Sequence, residues 1–398
     1  MMHERRLKAA VNPARRSASR VCRELVFAFV TALVVILSYS LGFTQTAPPG
    51  PAIANVRIGV LGLFHPRQLA VTALQGHALM VRAGDERMVL ELSSGVHTAN
   101  IRLSGGEMIL QSGTRTVHAP GIVVAGRKDE PADFVLAVPG RITRHYRGTL
   151  AIGQSAGHLL AIVTMDREIA VASIVAAESA TETPFEALKA QAVATRSYLA
   201  VRGGRHRDFD FCDTTHCQFL REPPAPATAV AKAVEATGGM VLAYESEPFA
   251  AMYTRSCAGR TRTPVEIGLP AARYPYYSVE CKYCRAHPER WSNRISAEDA
   301  VTLRSSNEPA RLRATRRLGW NTIPSNDFIV KTENGQSLVE GTGQGHGIGL
   351  CQAGAKAMAA DGADFRQILS HYYPNTAIVD VSTVADPVVQ QGEDVWPP

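Results

Sequence analysis

The stretch "AAESATETPFEALKAQAVATRSYLA", residues 176–200, places one carboxylate, Glu178, six residues ahead of the proline that opens a long helical pattern. Thr183, Pro184 and Glu186 fit the N-cap, N1 and N3 positions of a capping box. Apolar residues then recur at helical spacing and predict a buried face: Phe185, Leu188, Ala192 and Leu199. These rules account for the helix and leave Glu178 outside it, without a structural role.

The positive charge of the chain is concentrated at its N terminus. Residues 1–24 carry a net charge of +5 out of the formal +6 of all 398 residues, so the remainder is nearly neutral. A protein that binds nucleic acid usually presents a basic surface on its folded part. The sequence therefore predicts no nucleic acid partner.

An uncharged segment follows the basic tail. It reads "LVFAFVTALVVILSYSLGF", residues 25–43, and its nineteen residues can cross a hydrocarbon core as a helix. The basic flank predicts a cytoplasmic tail at 1–24, which directs the rest of the chain outward. We interpret the segment as a transmembrane signal-anchor of the inner (cytoplasmic) membrane, with the folded part facing the periplasm or the cell exterior. A cleaved signal peptide is the alternative.

The hydrophobic pattern changes along the chain. Short alternating runs separated by turn residues predict strands from residue 55 to about 165, and helical spacing begins at about residue 168. We predict an α+β fold with an N-terminal transmembrane helix, a β-rich N-terminal region and a mixed α/β catalytic domain. The expected order is a basic tail at 1–24, a transmembrane segment at 25–43, a linker at 45–54, a β-rich region at 55–150, a catalytic domain at 151–380 and a tail at 381–398. Further helices are expected at 225–237, 296–305, 352–361 and 364–373.

A second dense motif is "EGTGQGHGIGLCQAGAKAMAADG", residues 340–362. Glycines occupy every other position from 341 to 349 and allow the backbone to approach another group closely. His346 stands in the middle of them. No Gly-Lys-Ser/Thr follows, so a phosphate-binding loop is not supported. A purely structural glycine-rich turn remains the alternative to a functional loop.

These motifs and their order resemble those of the SpoIID/LytB family. Residues 178–200 resemble the family segment in which a Glu precedes "PxEALKAQAVAARTYA". Residues 341–362 are similar to the family's "GxGxGHGVGMSQxGAxxMAxxG", and "ILSHYYPNT" at 368–376 is similar to "ILxHYYPGT". "YTRSCAGRT" at 253–261 resembles "SSSGGxT". The likeness runs from about residue 142 to 380.

The resemblance implies a protein that acts on the glycan strands of peptidoglycan. It implies either a lytic transglycosylase or a non-enzymatic wall-binding protein that enhances an N-acetylmuramoyl-L-alanine amidase. The family's catalytic carboxyl falls on Glu178. Its helical cations fall on Lys189 and Arg196, which we expect to position substrate. His346 and Ser256 are further candidates for binding substrate.

The chemistry explains why one carboxyl can suffice. Hydrolases divide the cleavage of a glycosidic bond between two carboxylates. A lytic transglycosylase uses the C6 hydroxyl of MurNAc as the nucleophile, so Glu178 acts first as acid and then as base and leaves a 1,6-anhydro end. Glu178 must begin protonated, and the nearly uncharged "ASIVAAESA" at 172–180 predicts a raised pKa.

Histidine and cysteine are concentrated in "HRDFDFCDTTHCQFL", residues 206–220. Such a density is typical of a zinc site or of a tight disulfide. The resemblance implies Zn²⁺ held by His206, Cys212 and Cys217, with His216 as a further candidate, and no other cofactor is expected. A disulfide between Cys212 and Cys217 is the alternative.

The remaining cysteines leave further arrangements open. Cys281 and Cys284, in "CKYC", offer disulfide partners to the two cysteines of the cluster, or a four-ligand structural zinc site with them. Cys257 and Cys351 are expected to be buried thiols or a distant bridge. A third functional interpretation is a zinc-dependent hydrolase in which Glu178 activates a metal-bound water.

Overall fold

The structure is a computed structural model that describes residues 55–201, 206–303, 307–333 and 336–384. All of these residues belong to one compact unit of the chain, Pro49–Pro398. Three predicted segments lie outside the described residues, namely the basic tail at 1–24, the transmembrane segment at 25–43 and the linker at 45–54. Most of the tail predicted at 381–398 also lies outside them.

The predicted α+β class with an N-terminal transmembrane helix is wrong. The described residues form a β-rich fold built on a sheet of twelve strands. Among them, no helix combines the length and the apolar character that crossing a bilayer requires. Their apolar residues alternate along strands, as in Gln68–Ala73 and Ala78–Ala83, so a sheet face buries them and no long apolar helix is formed.

The twelve-stranded sheet comes from the first part of the described chain. Its long central strand is Ile142–Ser155, which changes partners at Gly148. A Cβ at Gly148 would overlap the carbonyl oxygen of Thr164, so only glycine allows this close crossing. The strands are β1 Asn55–Val60, β2 Gln68–Ala73, β3 Ala78–Ala83, β4 Glu86–Glu91, β5 Thr98–Ser104, β6 Glu107–Ser112, β7 Arg115–Ala119, β8 Ile122–Ala125, β9 Ala132–Val138, β10 Ile142–Ser155, β11 His158–Asp166 and β12 Phe211–Cys212.

The described helices follow β11 in sequence, and the first two of them precede β12. They are α1 Arg167–Glu178, α2 Phe185–Ala200, α3 Ala229–Ala236, α4 Lys282–Ala286, α5 Ala297–Leu303, α6 Glu308–Leu318, α7 Gln352–Ala360 and α8 Phe365–Tyr372. The predicted capping box at the start of α2 is wrong, because the Thr183 hydroxyl donates to the carbonyl of Ala180 and Pro184 takes the N-cap position. Phe185, expected to face inward, is exposed.

The remaining strands form small sheets among these helices. They are β13 Met240–Tyr244, β14 Glu247–Pro248, β15 Tyr253–Thr254, β16 Arg290–Ile295, β17 Asp327–Glu333, β18 Gln336–Thr342, β19 Leu350–Cys351 and β20 Ala377–Asp380. The short parallel pair of β15 and β19 joins Tyr253 to Leu350 and Thr254 to Cys351. This pairing brings two segments that are about a hundred residues apart side by side, next to the end of α1.

The described residues form two large hydrophobic cores, and two smaller clusters lie apart from them. The larger core fills the twelve-stranded sheet and takes in the inner faces of α1 and α3. The second lies among β15, β19, α7 and α8, and it contains four cysteines. Helix α2 contributes to both, since Leu188 and Ala192 lie in the first core while Ala190 and Val193 lie in the second. The end of α1 and the body of α2 therefore lie where the cores meet.

Candidate active site

Glu178 is the last residue of α1, so its position is set by how that helix begins and ends. Asp166 caps the first turn by accepting hydrogen bonds from the backbone of Glu168 and Ile169, at 2.8 and 3.2 Å. At the other end, Glu178 Oε1 accepts a hydrogen bond from the backbone N–H of Phe219, at 3.1 Å. The Gln352 side-chain amide donates to the Glu178 carbonyl, at 3.3 Å. Three distant segments thus meet at this carboxyl.

The surroundings of Glu178 favour its protonated form. Burial raises the pKa of Glu178, while the hydrogen bond from Phe219 and the positive charge of Arg255 lower it, and the net direction is upward. The direction agrees with the expectation from the apolar residues around Glu178. Arg255 is the cation that sequence reasoning missed, and it lies in the segment that β15 holds beside β19.

Arg196 does not lie beside Glu178. Its side chain is 0% exposed and makes a two-bond ion pair with Glu168, with Nε–Oε1 and Nη2–Oε2 both 2.7 Å. It also donates to the carbonyls of Met240 and Val234. Glu168 is ten residues before Glu178 on α1, which corresponds to about 15 Å along the helix axis. Arg196 therefore joins α1, α2 and β13 in the interior.

Lys189 is also engaged away from Glu178. Its Nζ lies 2.6 Å from Glu186 Oε1 and 4.7 Å from the centre of the Phe365 ring. Glu186 in turn accepts a hydrogen bond from the Phe365 backbone at 2.9 Å. Lys189 thus fixes the start of α8 against α2, and a cation–π contact adds to the ion pair. These contacts join residues of α2 and α8, and the substrate-positioning role of Lys189 stays a prediction.

His346 and Ser256 lie in the two segments that the glycine-rich motif brings together. The Ser256 hydroxyl is buried and lies 3.6 Å from Cys284 Sγ, so it faces a cysteine cluster and not an open groove. His346 Nδ1 accepts from the Ile348 backbone, at 3.0 Å. Burial lowers the pKa of His346 to about 4, with the charge of Glu308 as the main opposing effect, so the ring is neutral at pH 7. His346 therefore acts as a neutral hydrogen-bonding group.

The glycines of the motif are required by this close packing. Gly343, Gly345, Gly347 and Gly349 all have positive φ. A Cβ at Gly343 would lie 2.6 Å from the carbonyl oxygen of Ser256, and one at Gly349 would overlap that of Met252. The alternation of glycine seen in the sequence thus lets the 343–349 loop pack against residues 252–256.

Buried amides beside Glu178 are further candidates that sequence reasoning missed. Gln191 is 3% exposed, and its Nε2 has no hydrogen-bond partner within the part of the chain that the structure describes. Gln218 is 5% exposed, and the same holds for both its amide atoms. Gln191 accepts a bond from Gln352 at 3.5 Å, while Gln218 directly precedes Phe219. Buried polar atoms without partners are rare in native proteins and call for a ligand or water.

The predicted histidine and cysteine cluster assembles in the structure. One donor atom from each of His206, Cys212, His216 and Cys217 lies within 4.8 Å of all the others. His206 Nε2 is 3.3 Å from Cys217 Sγ, and Cys212 Sγ is 3.8 Å from His216 Nδ1. Cys212 and Cys217 are both free thiols in the structure, which differs from the alternative of a disulfide between them. Hydrogen bonding to Cys217 is the main factor that lowers the pKa of Cys212, against the effect of burial.

These four donors fit a tetrahedral Zn²⁺ site with two sulfur and two nitrogen ligands. The loop that carries them is tied to the edge of the large sheet, where β12 pairs in parallel with β1. Asp213 strengthens that tie, since its Oδ2 accepts from the Leu61 backbone at 3.0 Å. The loop then continues directly to Phe219, so the cluster and Glu178 are joined by a short, fixed piece of backbone.

The other cysteines do not join this cluster. Cys281 and Cys284 lie with Cys257 and Cys351 in the second core, with their sulfur atoms within 4.8 Å of one another. The predicted four-ligand site combining Cys281 and Cys284 with the 206–220 cluster is therefore wrong. The reason is the β15–β19 pairing, which carries Cys257 and Cys351 to the start of α4.

The fold and the site define a β-rich protein with one half-buried carboxyl beside a histidine–cysteine cluster. Comparison with known proteins shows what the chain is similar to. The family model SpoIID, described as "Stage II sporulation protein", matches residues 155–244, which include Glu178 and the whole cluster. The resemblance predicted from the sequence is confirmed: the chain is similar to this family model and to relatives named Stage II sporulation protein D and amidase enhancer.

Individual relatives agree with this family. An uncharacterized protein of Brachyspira hyodysenteriae is 28% identical over 284 residues, covering 63% of this chain and 76% of the relative. Stage II sporulation protein D of Bacillus amyloliquefaciens is 26% identical over 254 residues, covering 53% of this chain and 73% of the relative. An amidase enhancer of Bacillus subtilis is 39% identical over 61 residues, covering 15% of this chain and 9% of the relative.

Proposed function

We propose that the chain is a peptidoglycan lytic transglycosylase that cleaves MurNAc–GlcNAc bonds without water, with Glu178 as the single acid and base. The family and its amidase enhancer relative suggest a function related to the cell wall. One observation carries the finer assignment: Glu178 is a half-buried carboxyl of raised pKa at the junction of three segments. Because peptidoglycan lies outside the cytoplasmic membrane, we expect the protein to act there.

The hydrogen bond from Phe219 gives the two oxygens of Glu178 different roles. A backbone N–H only donates, so Oε1 accepts and the proton of the neutral carboxyl lies on Oε2. From Oε2 the proton passes to the glycosidic oxygen while the bond between that oxygen and the anomeric carbon breaks. The carboxylate then removes the C6 hydroxyl proton while that oxygen bonds to the anomeric carbon. The 1,6-anhydro ring closes, Glu178 regains its proton, and no water is consumed.

Three neighbouring groups support this chemistry. Arg255 is exposed, and its charge already lowers the pKa of Glu178, so it stabilises the carboxylate that forms after the proton leaves. The buried amides of Gln191 and Gln218 offer hydrogen bonds to the acetamido or hydroxyl groups of a sugar. Gln352 fixes the last turn of α1 through its bond to the Glu178 carbonyl.

We further propose that His206, Cys212, His216 and Cys217 hold Zn²⁺. Bound zinc would supply a fixed tetrahedral link within the loop, and four protein ligands would leave no open position for a catalytic water. The contribution of the loop to catalysis is then made by its own backbone. It keeps the Phe219 N–H on Oε1 and so keeps Oε2 free for the substrate.

The decisive experiment is the digestion of purified glycan, both intact and stripped of peptides, with zinc supplied. Mass spectrometry should detect 1,6-anhydroMurNAc ends with the wild-type protein. Loss of a general acid and base costs about 10²–10⁴ in rate, so Glu178→Gln should lower product formation by that factor. The matched control is Glu182→Gln, the same change on an exposed carboxyl four residues away, which should leave the rate unchanged. If the wild type forms no anhydro ends on either substrate, the proposed reaction is refuted; if Glu178→Gln equals the wild type, only the site is refuted.

The amidase enhancer relative favours one second candidate, a non-enzymatic protein that binds the wall and stimulates an amidase. The same variants distinguish it. An enhancer would raise the rate of a purified cell-wall amidase equally with and without Glu178→Gln, and it would form no anhydro ends. A zinc-dependent hydrolase would form reducing ends and lose activity on chelation, and the four-donor cluster, which leaves no open position, does not support it.

A further inference from the structure

The second core contains a group of four cysteines outside the site described above. Cys257, Cys281, Cys284 and Cys351 are all buried, and their sulfur atoms lie within 4.8 Å of one another. All four are free thiols, with Cys284 Sγ and Cys351 Sγ 3.5 Å apart. A disulfide would bring two sulfurs to about 2.05 Å. The fold therefore brings four sulfur donors together without joining any two of them in a disulfide.

We propose that these four cysteines bind a single tetrahedral metal ion, with Zn²⁺ as the ion that fits best. Zinc–thiolate bonds of about 2.3 Å place the sulfurs of a tetrahedral site about 3.8 Å apart, which agrees with the observed grouping. Four thiolates close the coordination sphere, so the site is structural and leaves no position for substrate. An iron–sulfur cluster places additional atoms between its thiolates and needs them farther apart.

The surrounding backbone is arranged as a metal site of this kind requires. Cys351 is the N-cap of α7, so the N terminus of that helix lies at its sulfur. The Cys351 sulfur accepts from the Gly354 backbone at 3.5 Å, and the Tyr372 hydroxyl donates to Cys281 Sγ at 3.5 Å. Such hydrogen bonds stabilise thiolate ligands and fix their orientation. A Cβ at Gly354 would lie 2.5 Å from Cys281 Sγ, so glycine leaves room for the cluster.

The location of the site gives it a consequence for the proposed function, although the inference does not depend on that function. Cys257 is two residues beyond Arg255, and Cys351 directly precedes Gln352. Arg255 acts on the pKa of Glu178, and Gln352 bonds its carbonyl. An ion at this site would link the two segments that carry Arg255 and Gln352.

The test is a count of metal on the full chain, using Zn²⁺ as the probe. The protein is produced with zinc, freed of loosely bound metal by gel filtration, and measured by elemental analysis. To remove the other candidate site, we use the triple variant His206→Ala, Cys212→Ser and Cys217→Ser. This variant should retain one zinc per chain. Co²⁺ substituted for Zn²⁺ should give the strong visible absorption of a tetrahedral cobalt tetrathiolate. X-ray absorption of the zinc form should report four sulfurs at about 2.3 Å.

A matched variant removes two of the four thiols. Cys257→Ser with Cys284→Ser, made in the triple-variant background, should reduce zinc from one equivalent to none. If that variant fails to fold, the cobalt spectrum and the X-ray absorption of the triple variant still decide the matter. The proposal is overturned if the triple variant holds no zinc, or if its metal is bound by nitrogen or oxygen. It is also overturned if denatured, unreduced wild-type protein contains disulfides among Cys257, Cys281, Cys284 and Cys351.

Discussion

Replacing Glu168 with glutamine tests whether Arg196 holds the interior together or acts on substrate. The carboxylate of Glu168 accepts two hydrogen bonds of 2.7 Å from a guanidinium that is 0% exposed. Glutamine has nearly the same shape, but it carries no charge and retains one acceptor oxygen. The variant therefore leaves a fully buried cation whose remaining acceptors are one amide oxygen and the backbone carbonyls of Ala192, Met240 and Val234.

The size of the effect follows from these contacts. Removing one partner of a buried ion pair costs about 3–5 kcal/mol, because the other charge stays buried without compensation. The side chain of Glu168 is 39% exposed, so water near it recovers part of this cost. One charge-assisted hydrogen bond, worth about 1.5–3 kcal/mol, is also lost. We expect the free energy of unfolding to fall by about 2–4 kcal/mol.

Urea unfolding followed by circular dichroism measures this change. Glu86→Gln is the control, since Glu86 pairs with Arg115 on the surface with both side chains about half exposed, and it should cost at most about 1 kcal/mol. Glycan cleavage per folded molecule should stay at the wild-type level in Glu168→Gln. Equal stability losses in the two variants would refute the buried ion pair. A stable variant with a tenfold lower cleavage rate would show that Arg196 acts on substrate.

Three further predictions concern the candidate site. Burial raises the pKa of Glu178 above its ordinary value of 4.5. The stability that the protonated Glu178 contributes is therefore complete below about pH 4.5 and is lost as the pH rises through the raised pKa. Urea unfolding from about pH 4 to 7 should show the wild type losing stability relative to Glu178→Gln, and parallel curves would contradict this. Arg255→Gln removes a charge that lowers the same pKa, so the pH at which glycan cleavage falls by half should shift upward; a downward shift would contradict the assignment, with Arg260→Gln as the control. Gly349→Ala should lower the free energy of unfolding by about 2–5 kcal/mol, since φ is +71° and a Cβ would overlap the Met252 carbonyl. The control, Gly362→Ala, is at an open position and should cost only the backbone strain of about 1–2 kcal/mol. Equal unfolding midpoints of the two variants would show that the overlap is relieved.

Local patterns predicted much of this fold. Alternating runs predicted the strands from residue 55 to about 165, and β1 to β11 cover that stretch. Helical spacing predicted α3, α7 and α8 to within a few residues. The sequence also singled out the 206–220 cluster, because its donors are close along the chain and therefore close in space.

Contacts between distant segments were not accessible from local patterns. The resemblance pointed to Lys189 and Arg196 as substrate-positioning cations of one helix, but their partners Phe365 and Glu168 come from other helices. The grouping of Cys257 with Cys351 depends on the β15–β19 pairing, which consists of two residues in each strand and has no sequence signature. The transmembrane prediction had a different basis, the apolar length of residues 25–43, which lie outside the described residues; none of the described helices is long and apolar enough to cross a bilayer.

The environment of Glu178 is built from contacts that oppose each other, and this explains why several segments must be held so firmly. Burial favours the protonated acid that begins the reaction, whereas the Phe219 N–H and Arg255 favour the carboxylate that forms during it. A shift of either segment would tilt this balance toward one of the two states. Phe219 follows the 206–217 cluster by two residues, and Arg255 precedes Cys257 by two. Each of the two groups that lower the pKa thus lies two residues from one of the two clusters, so a metal ion bound at either proposed site would restrain it. A site restrained in this way would suit the two roles proposed for one carboxyl.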